Sequence, residues 1–232
     1  MKRIIYAGCI LLMFFLVSCS DFLDKEPFED PSAETINDEA SAIALTNAAY
    51  QPMQRPKLYN MRMWTLDIVA GNSEVGAGGG DDGIETIQLA NFVAGPDNFA
   101  AVDLWRGPNP GVLYCNTVLA NIPGMNISQD IKNRCIGEAK FLRASYYFIL
   151  VQLFGDVPLS LSPAKPGDDL FPARTSKEAI YKDVIIPDLL DAINLLPRRE
   201  EYSSKDLGRA SKGLPPVCSQ KYILQQGNIR SV

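Results

Sequence analysis

The sequence predicts a mainly α-helical fold with long irregular loops, and three observations predict it. Apolar residues recur at helical spacing in several stretches, the longest carrying Ile131, Cys135, Ala139, Leu142, Tyr146 and Ile149. Alternation of apolar and polar residues, the mark of a half-buried strand, is weak throughout, and Val157 to Leu161 is the best short candidate. Glycine and proline gather between the periodic stretches, where they interrupt both kinds of regular structure.

Taken in order, residues 20–37 read as an irregular lead-in marked by Pro27 and Pro31. Asp38 precedes a helical pattern in which Ala42, Leu45, Ala49 and Met53 share a stripe, and Pro52 and Pro56 kink or end that helix. Trp64 to Ile68 is apolar and leads into Gly71-Asn72 and the run from Gly76 to Gly83, a loop by composition. The run lacks the ordered carboxylates of a calcium loop and the Gly-Lys pairing of a phosphate loop, so it reads as a surface loop. Phe92 to Pro110 is turn-rich. Gly111 to Ile122 is predicted helical, with Val112, Cys115, Leu119 and Ile122 on one stripe.

The strongest helix runs from about Ser128 to Phe154. Ser128 suits the N-cap, Asp130 complements the helix dipole in the first turn, and Gly155 and Pro158 supply the stop. Thr175 with Glu178 fits a capping box opening a helix toward Leu196. Pro187 within it gives either a kink or two consecutive short helices.

Composition removes several functions. The chain has 232 residues and no histidine. A Ser-His-Asp triad, a Cys-His pair and a His-containing zinc site are therefore excluded. A formal net charge of -5 argues against a nucleic-acid partner, since phosphate affinity comes from clustered Lys and Arg. The 27 acidic residues supply many carboxylate pairs for glycoside hydrolysis, but no motif selects one. The expectation is a protein that is not an enzyme, with no catalytic residue, no metal site and no cofactor.

The N-terminus sets the compartment. Lys2 and Arg3 precede an almost continuous apolar run from Ile4 to Val17, too short for a comfortable permanent span. Leu16-Val17-Ser18-Cys19 resembles the bacterial lipobox, which makes residues 1–18 a signal peptide and Cys19 a lipidated mature N-terminus. Residues 19–37 then form an acidic tether, with Asp21, Asp24 and Glu26, that resembles the surface-export signal of Bacteroidetes lipoproteins. Of the remaining cysteines, Cys115 and Cys135 lie in the body; they read as two unpaired buried thiols, with a disulfide as the alternative.

The segment from Gly137 to Leu159, Gly-Glu-Ala-Lys-Phe-Leu-Arg-Ala-Ser-Tyr-Tyr-Phe-Ile-Leu-Val-Gln-Leu-Phe-Gly-Asp-Val-Pro-Leu, resembles the hallmark segment of the SusD/RagB family. Three further pieces agree in order: the lipobox, Arg174 to Glu178 leading to Asp188 and Pro197, and Gly208 to Gly213. Asn116 matches the family's Asn on the preceding helix. The resemblance implies a nutrient-binding outer-membrane lipoprotein on a tetratricopeptide-like helical scaffold. It implies binding of a glycan or other oligomeric nutrient and delivery to a SusC-like TonB-dependent transporter, from a lipid-anchored position facing the exterior. The hallmark stripe itself is core, so it identifies the scaffold and not the ligand site.

Trp64, Trp105, Tyr59, Phe92 and Phe99 sit in or beside loops, where flat aromatic faces can stack on sugar rings. The alternative is that a half-buried Trp covers the end of a helix pair. The SusD-like region is expected to span 38–213. After Gly213 the pattern stops: Leu214-Pro215-Pro216-Val217 cannot start a helix where the family continues with one. Residues 214–232 are therefore expected to be a frameshift product, leaving the helical scaffold incomplete at the C-terminus. The runner-up function is accordingly a truncated, non-binding fragment or a purely structural lipoprotein.

Overall fold

The structure, a computed structural model, describes residues 37–76, 83–169 and 171–213. The signal peptide, Cys19, the acidic tether up to Ile36, most of the Gly-Asp loop and the anomalous tail lie outside the described residues.

The first helix, α1 (Glu39–Tyr50), begins where Asp38 predicts it: the Asp38 carboxylate accepts from the Ser41 N–H at 2.7 Å. It ends in a 3₁₀ turn, Gln51–Gln54, with Pro52 at its start. A second 3₁₀ turn, Arg62–Trp64, leads into the short helices α2 (Thr65–Val69) and α3 (Ile84–Ala90). The stretch predicted to be turns, Phe92 to Pro110, is instead largely helical. It holds α4 (Phe99–Arg106) and the start of α5 (Pro108–Asn121). Asn98 caps α4 by accepting from the Ala101 N–H at 3.1 Å. Pro108 and Pro110 are tolerated because the first turn of a helix has no intrahelical use for its N–H groups. Counting prolines without asking where a helix starts hid α4 and the first turn of α5, whose remainder is the helix predicted over 111–122.

The helix α6 (Gln129–Phe154) runs over the predicted span and stops at Gly155, whose positive φ of 69° suits glycine. Ser128 occupies the N-cap position, but its hydroxyl donates to the Glu39 carboxylate of α1 and does not cap its own helix. The N-terminus of α6 is thereby tied to that of α1. The predicted stripe is buried from Cys135 to Ile149, with Ile131 half-buried. The opposite side is buried too, at Gly137, Arg143, Ala144, Tyr147 and Val151. The reason is that α6 lies between α5 and α1 on one side and the last helix on the other.

A two-residue antiparallel pairing joins β1 (Val157–Pro158) to β2 (Arg174–Thr175), shorter than the candidate strand 157–161. The capping residue of the following helix is Ser176, not Thr175: its hydroxyl accepts from the Ala179 N–H, while Thr175 is used in the strand pair. From there the chain runs without a break through α7 (Lys177–Ile180), a π-helical turn (Tyr181–Ile185) and α8 (Ile186–Leu195). The widened turn just before Pro187 accommodates the missing N–H and the bulk of its ring.

Close helix contacts depend on two glycines. A Cβ on Gly111 of α5 would overlap the ring of Tyr146 on α6, and one on Gly137 would press on Leu195 and Leu196 at about 3.0–3.1 Å. Cys115 and Cys135 are both free and buried, as read from the sequence. Among the described residues no helix is long and apolar enough to cross a membrane.

Candidate functional site

Four of the five candidate aromatics stand at the surface of the α2–α4 region. Tyr59 is in the turn before the Arg62–Trp64 segment, Trp64 closes that segment, Phe92 follows α3, and Phe99 opens α4. Phe92 is 80% and Phe99 74% exposed, and Phe92 adopts a left-handed φ of 56°, uncommon for a bulky residue. An aromatic held outward in this way is not explained by core packing.

Ionic and amide contacts hold these segments together. The Arg62 guanidinium donates to Asp103 of α4 at 2.9 Å and to Glu85 of α3 at 3.0 Å, with Lys57 at 4.0 Å from Asp103. The Asn98 amide donates to the Glu85 carbonyl and to Gln88. The 3₁₀ turn bearing Trp64, the helix preceding Phe92 and the helix opened by Phe99 therefore share one clasp. A hydrogen bond from backbone N–H and the Arg62 guanidinium hold the Glu85 carboxyl below its usual range. A carboxyl depressed in the folded state contributes stability above its unfolded value of 4.5, and that contribution is lost as pH falls through the lower folded value. Emission of Trp64, read in a Trp105→Phe variant, is expected to change as pH drops below 4.5, and Glu85→Gln is expected to flatten that transition. A transition unchanged by Glu85→Gln would remove the clasp from the explanation.

Trp105 behaves differently from the other four. It lies inside α4, not beside a loop, and is half-buried with its ring edge-on to Phe154 at 5.1 Å and 88°. This is the helix-covering role weighed as the alternative. Its remaining surface lines a separate cleft with Asn109, Tyr147, Asp169, Phe171 and Arg174. The sequence reading missed Phe171, although the same signal, an aromatic in a loop rich in Pro and Gly, was present there.

The hallmark residues form two buried polar networks. In one, Arg143 of α6 grips Asp188 of α8 through both carboxylate oxygens, at 2.7 and 2.9 Å, and donates to the Asn116 side-chain oxygen of α5 at 3.0 Å. The Asn116 amide passes the chain of contacts to the carbonyls of Ser160 and Ser162. In the other, the fully buried Glu138 accepts from Arg209 at 3.0 Å and lies 3.6 Å from Arg134. Burial pushes the Glu138 carboxyl above its usual range, against the pull of Arg209. Arg209 also bonds Asp206 and Asn47, and the Ala210 N–H donates to Tyr50. The segment from Gly208 to Gly213 is thus fastened to α1 and α6.

Chemically these networks are structural. Arg143 occupies both oxygens of Asp188 and Arg209 one oxygen of Glu138, and burial raises both thiols above their ordinary range, which disfavours the reactive thiolate. Among the described residues no three His, Cys, Asp or Glu side chains are grouped to hold a metal. What remains accessible is a set of aromatic faces with polar groups beside them.

Residues 21–213 match the SusD-like family model described as "Starch-binding associating with outer membrane". The chain belongs to the SusD-like family. Two SusD-like proteins of Formosa agariphila, P25 and P2, are 24% and 28% identical over 235 and 194 residues. These alignments cover 94% and 81% of this chain but only 42% and 37% of the relatives. A solved laminarin-binding SusD-like protein superposes with a TM-score of 0.71 at 28% identity, covering 82% of this chain and 41% of that one. A SusD superfamily protein from Parabacteroides distasonis gives 0.70 at 26% identity, covering 82% and 40%. The tetratricopeptide-like helical scaffold of SusD-like proteins is therefore present here, over about two-fifths of the length of those relatives.

Proposed function

We propose that this chain serves a surface lipoprotein that binds a glycan or other oligomeric nutrient and passes it to a SusC-like TonB-dependent transporter. The observation that carries the reading is the SusD-like match over 21–213, joined to the 28% identity with a laminarin-binding relative. The exposed aromatics supply a physical means: stacking on sugar faces plus hydrogen bonds from loop side chains, without covalent chemistry. Anchoring is assigned to Cys19, which would hold the chain at the outer membrane through its lipid.

Affinity electrophoresis of the detergent-solubilised full chain in gels containing laminarin or starch tests the binding step. Retardation without release of reducing sugar is the expected result. A folded chain that neither polysaccharide retards would count against the reading. Incorporation of labelled palmitate is expected in the wild type and lost in Cys19→Ala; label retained in that variant would remove the anchor.

A second reading, a non-binding fragment, draws on the exposure of Ile84, Val93, Phe171 and Leu207, each more than half exposed. Circular dichroism separates the two, since an unfolded chain supports only the second.

A further inference from the structure

The cleft beside Trp105 is set apart from the exposed aromatics by the way its walls are made. It is an open cleft of about 620 Å³, the size range of small-molecule sites. One wall is α4 and α5, with Trp105 held in orientation by the edge of Phe154. The facing wall is the chain after β1, and it is rigidly placed. The Tyr147 hydroxyl both donates to the Ser160 carbonyl and accepts from the Ser160 N–H, each at 2.8 Å, and the Asn116 amide holds the Ser160 and Ser162 carbonyls. The buried Arg143–Asp188 pair fixes Asn116 in turn. Two side chains, Tyr147 and Asn116, reach out of the core to hold one surface segment, with Arg143 fixing the second of them; this is the support a preorganised site requires.

The rim shows what such a site would take. Phe171 is 90% exposed and offers a free aromatic face. Among the described residues the Arg174 guanidinium has no hydrogen-bond or ion-pair partner, and Asp169 accepts through Oδ1 alone, from the Phe171 N–H at 2.9 Å. A free guanidinium and a half-used carboxylate on one rim balance in charge. Together they match a neutral ligand that both donates and accepts, because an anion would meet Asp169 and a cation Arg174. Flat apolar faces edged by hydroxyls satisfy the aromatics as well.

We propose that this cleft binds one pyranose unit of a neutral oligosaccharide, stacked between Trp105 and Phe171 and hydrogen-bonded by Asp169 and Arg174. The proposal rests on the glycan-binding reading and assigns part of it to a place that reading does not specify. The chain has two tryptophans, so a Trp64→Phe variant leaves Trp105 as the single reporter. Titration of this full-length variant with laminarihexaose and with maltohexaose is expected to change Trp105 emission saturably for at least one of them. Phe171→Ala and Arg174→Ala, both at exposed positions and expected to leave the circular dichroism spectrum unchanged, are each expected to weaken that response about tenfold.

Constant Trp105 emission with both hexasaccharides, while polysaccharide gels still retard the Trp64→Phe variant itself, would overturn the cleft and leave glycan binding standing. A Trp105 response without gel retardation would support the cleft and count against polysaccharide binding. A stronger response to an oligouronate than to either neutral hexasaccharide would overturn the neutral-sugar assignment.

Discussion

Replacing Arg143 by Ala is expected to destabilise the protein by about 3–5 kcal/mol, because it leaves the Asp188 carboxylate buried without its partner. Asp188 is 3% exposed, and both its oxygens receive Arg143 N–H groups. Lys140 is the remaining cation, with its ammonium 3.4 Å from Asp188 and 2.6 Å from Asp191, so it only partly compensates. The same substitution frees the Asn116 oxygen and slackens the segment at Ser160. Urea denaturation followed by circular dichroism measures the first effect. Hydrogen exchange at the Ser160 N–H measures the second. Arg143→Lys is expected to recover little, since one ammonium cannot reproduce the two-pronged contact with Asp188 and the bond to Asn116 together. A loss below about 1 kcal/mol for Arg143→Ala would show that the helices are held by apolar packing alone.

Gly111→Ala is expected to cost about 1–3 kcal/mol through overpacking at the α5–α6 contact. The added methyl would occupy space filled by the Tyr146 ring. That ring cannot yield easily: it is fully buried, and its hydroxyl donates to the Ala49 carbonyl of α1 at 2.7 Å. The strain therefore reaches three helices. The diagnostic is a double-mutant cycle. In a Tyr146→Ala background, which carries its own cavity cost, the added methyl meets open space and is expected to cost much less. Additive losses would place the effect in helix propensity or in the unfolded chain and not in the ring contact.

How much of this was legible beforehand depended on whether the signal was local. Asp38, Gly155 and the stripe of α6 act within one or two turns of themselves, and the structure uses them where they predict. The missed helix α4 and the missed first turn of α5 depended on a cap by Asn98 and on prolines falling in a first turn, signals that look like loop composition when read as counts. On α5 the predicted stripe included Leu119, yet Val118 is the fully buried residue, because α5 meets both α1 and α6 and its buried face is broader than one stripe. For the candidate site, exposure of Phe92 and Phe99 agreed with the loop-edge reading. Trp105 was displaced from loop to helix, and Phe171 and Arg174 came from the tertiary arrangement.

By itself the sequence determined the helical class, the start and stop of the long α6, the absence of histidine chemistry, and the resemblance that the SusD-like match over 21–213 bears out. Each of these is written in residue type and short-range spacing. Only the tertiary structure decided which polar residues are buried together. Arg143 and Asp188 are 45 positions apart and Arg209 and Glu138 are 71, distances at which periodicity carries no information. Their pairing follows from α6 being enclosed on several sides, so that its charged residues had to find partners in other elements or lose their solvation unrewarded.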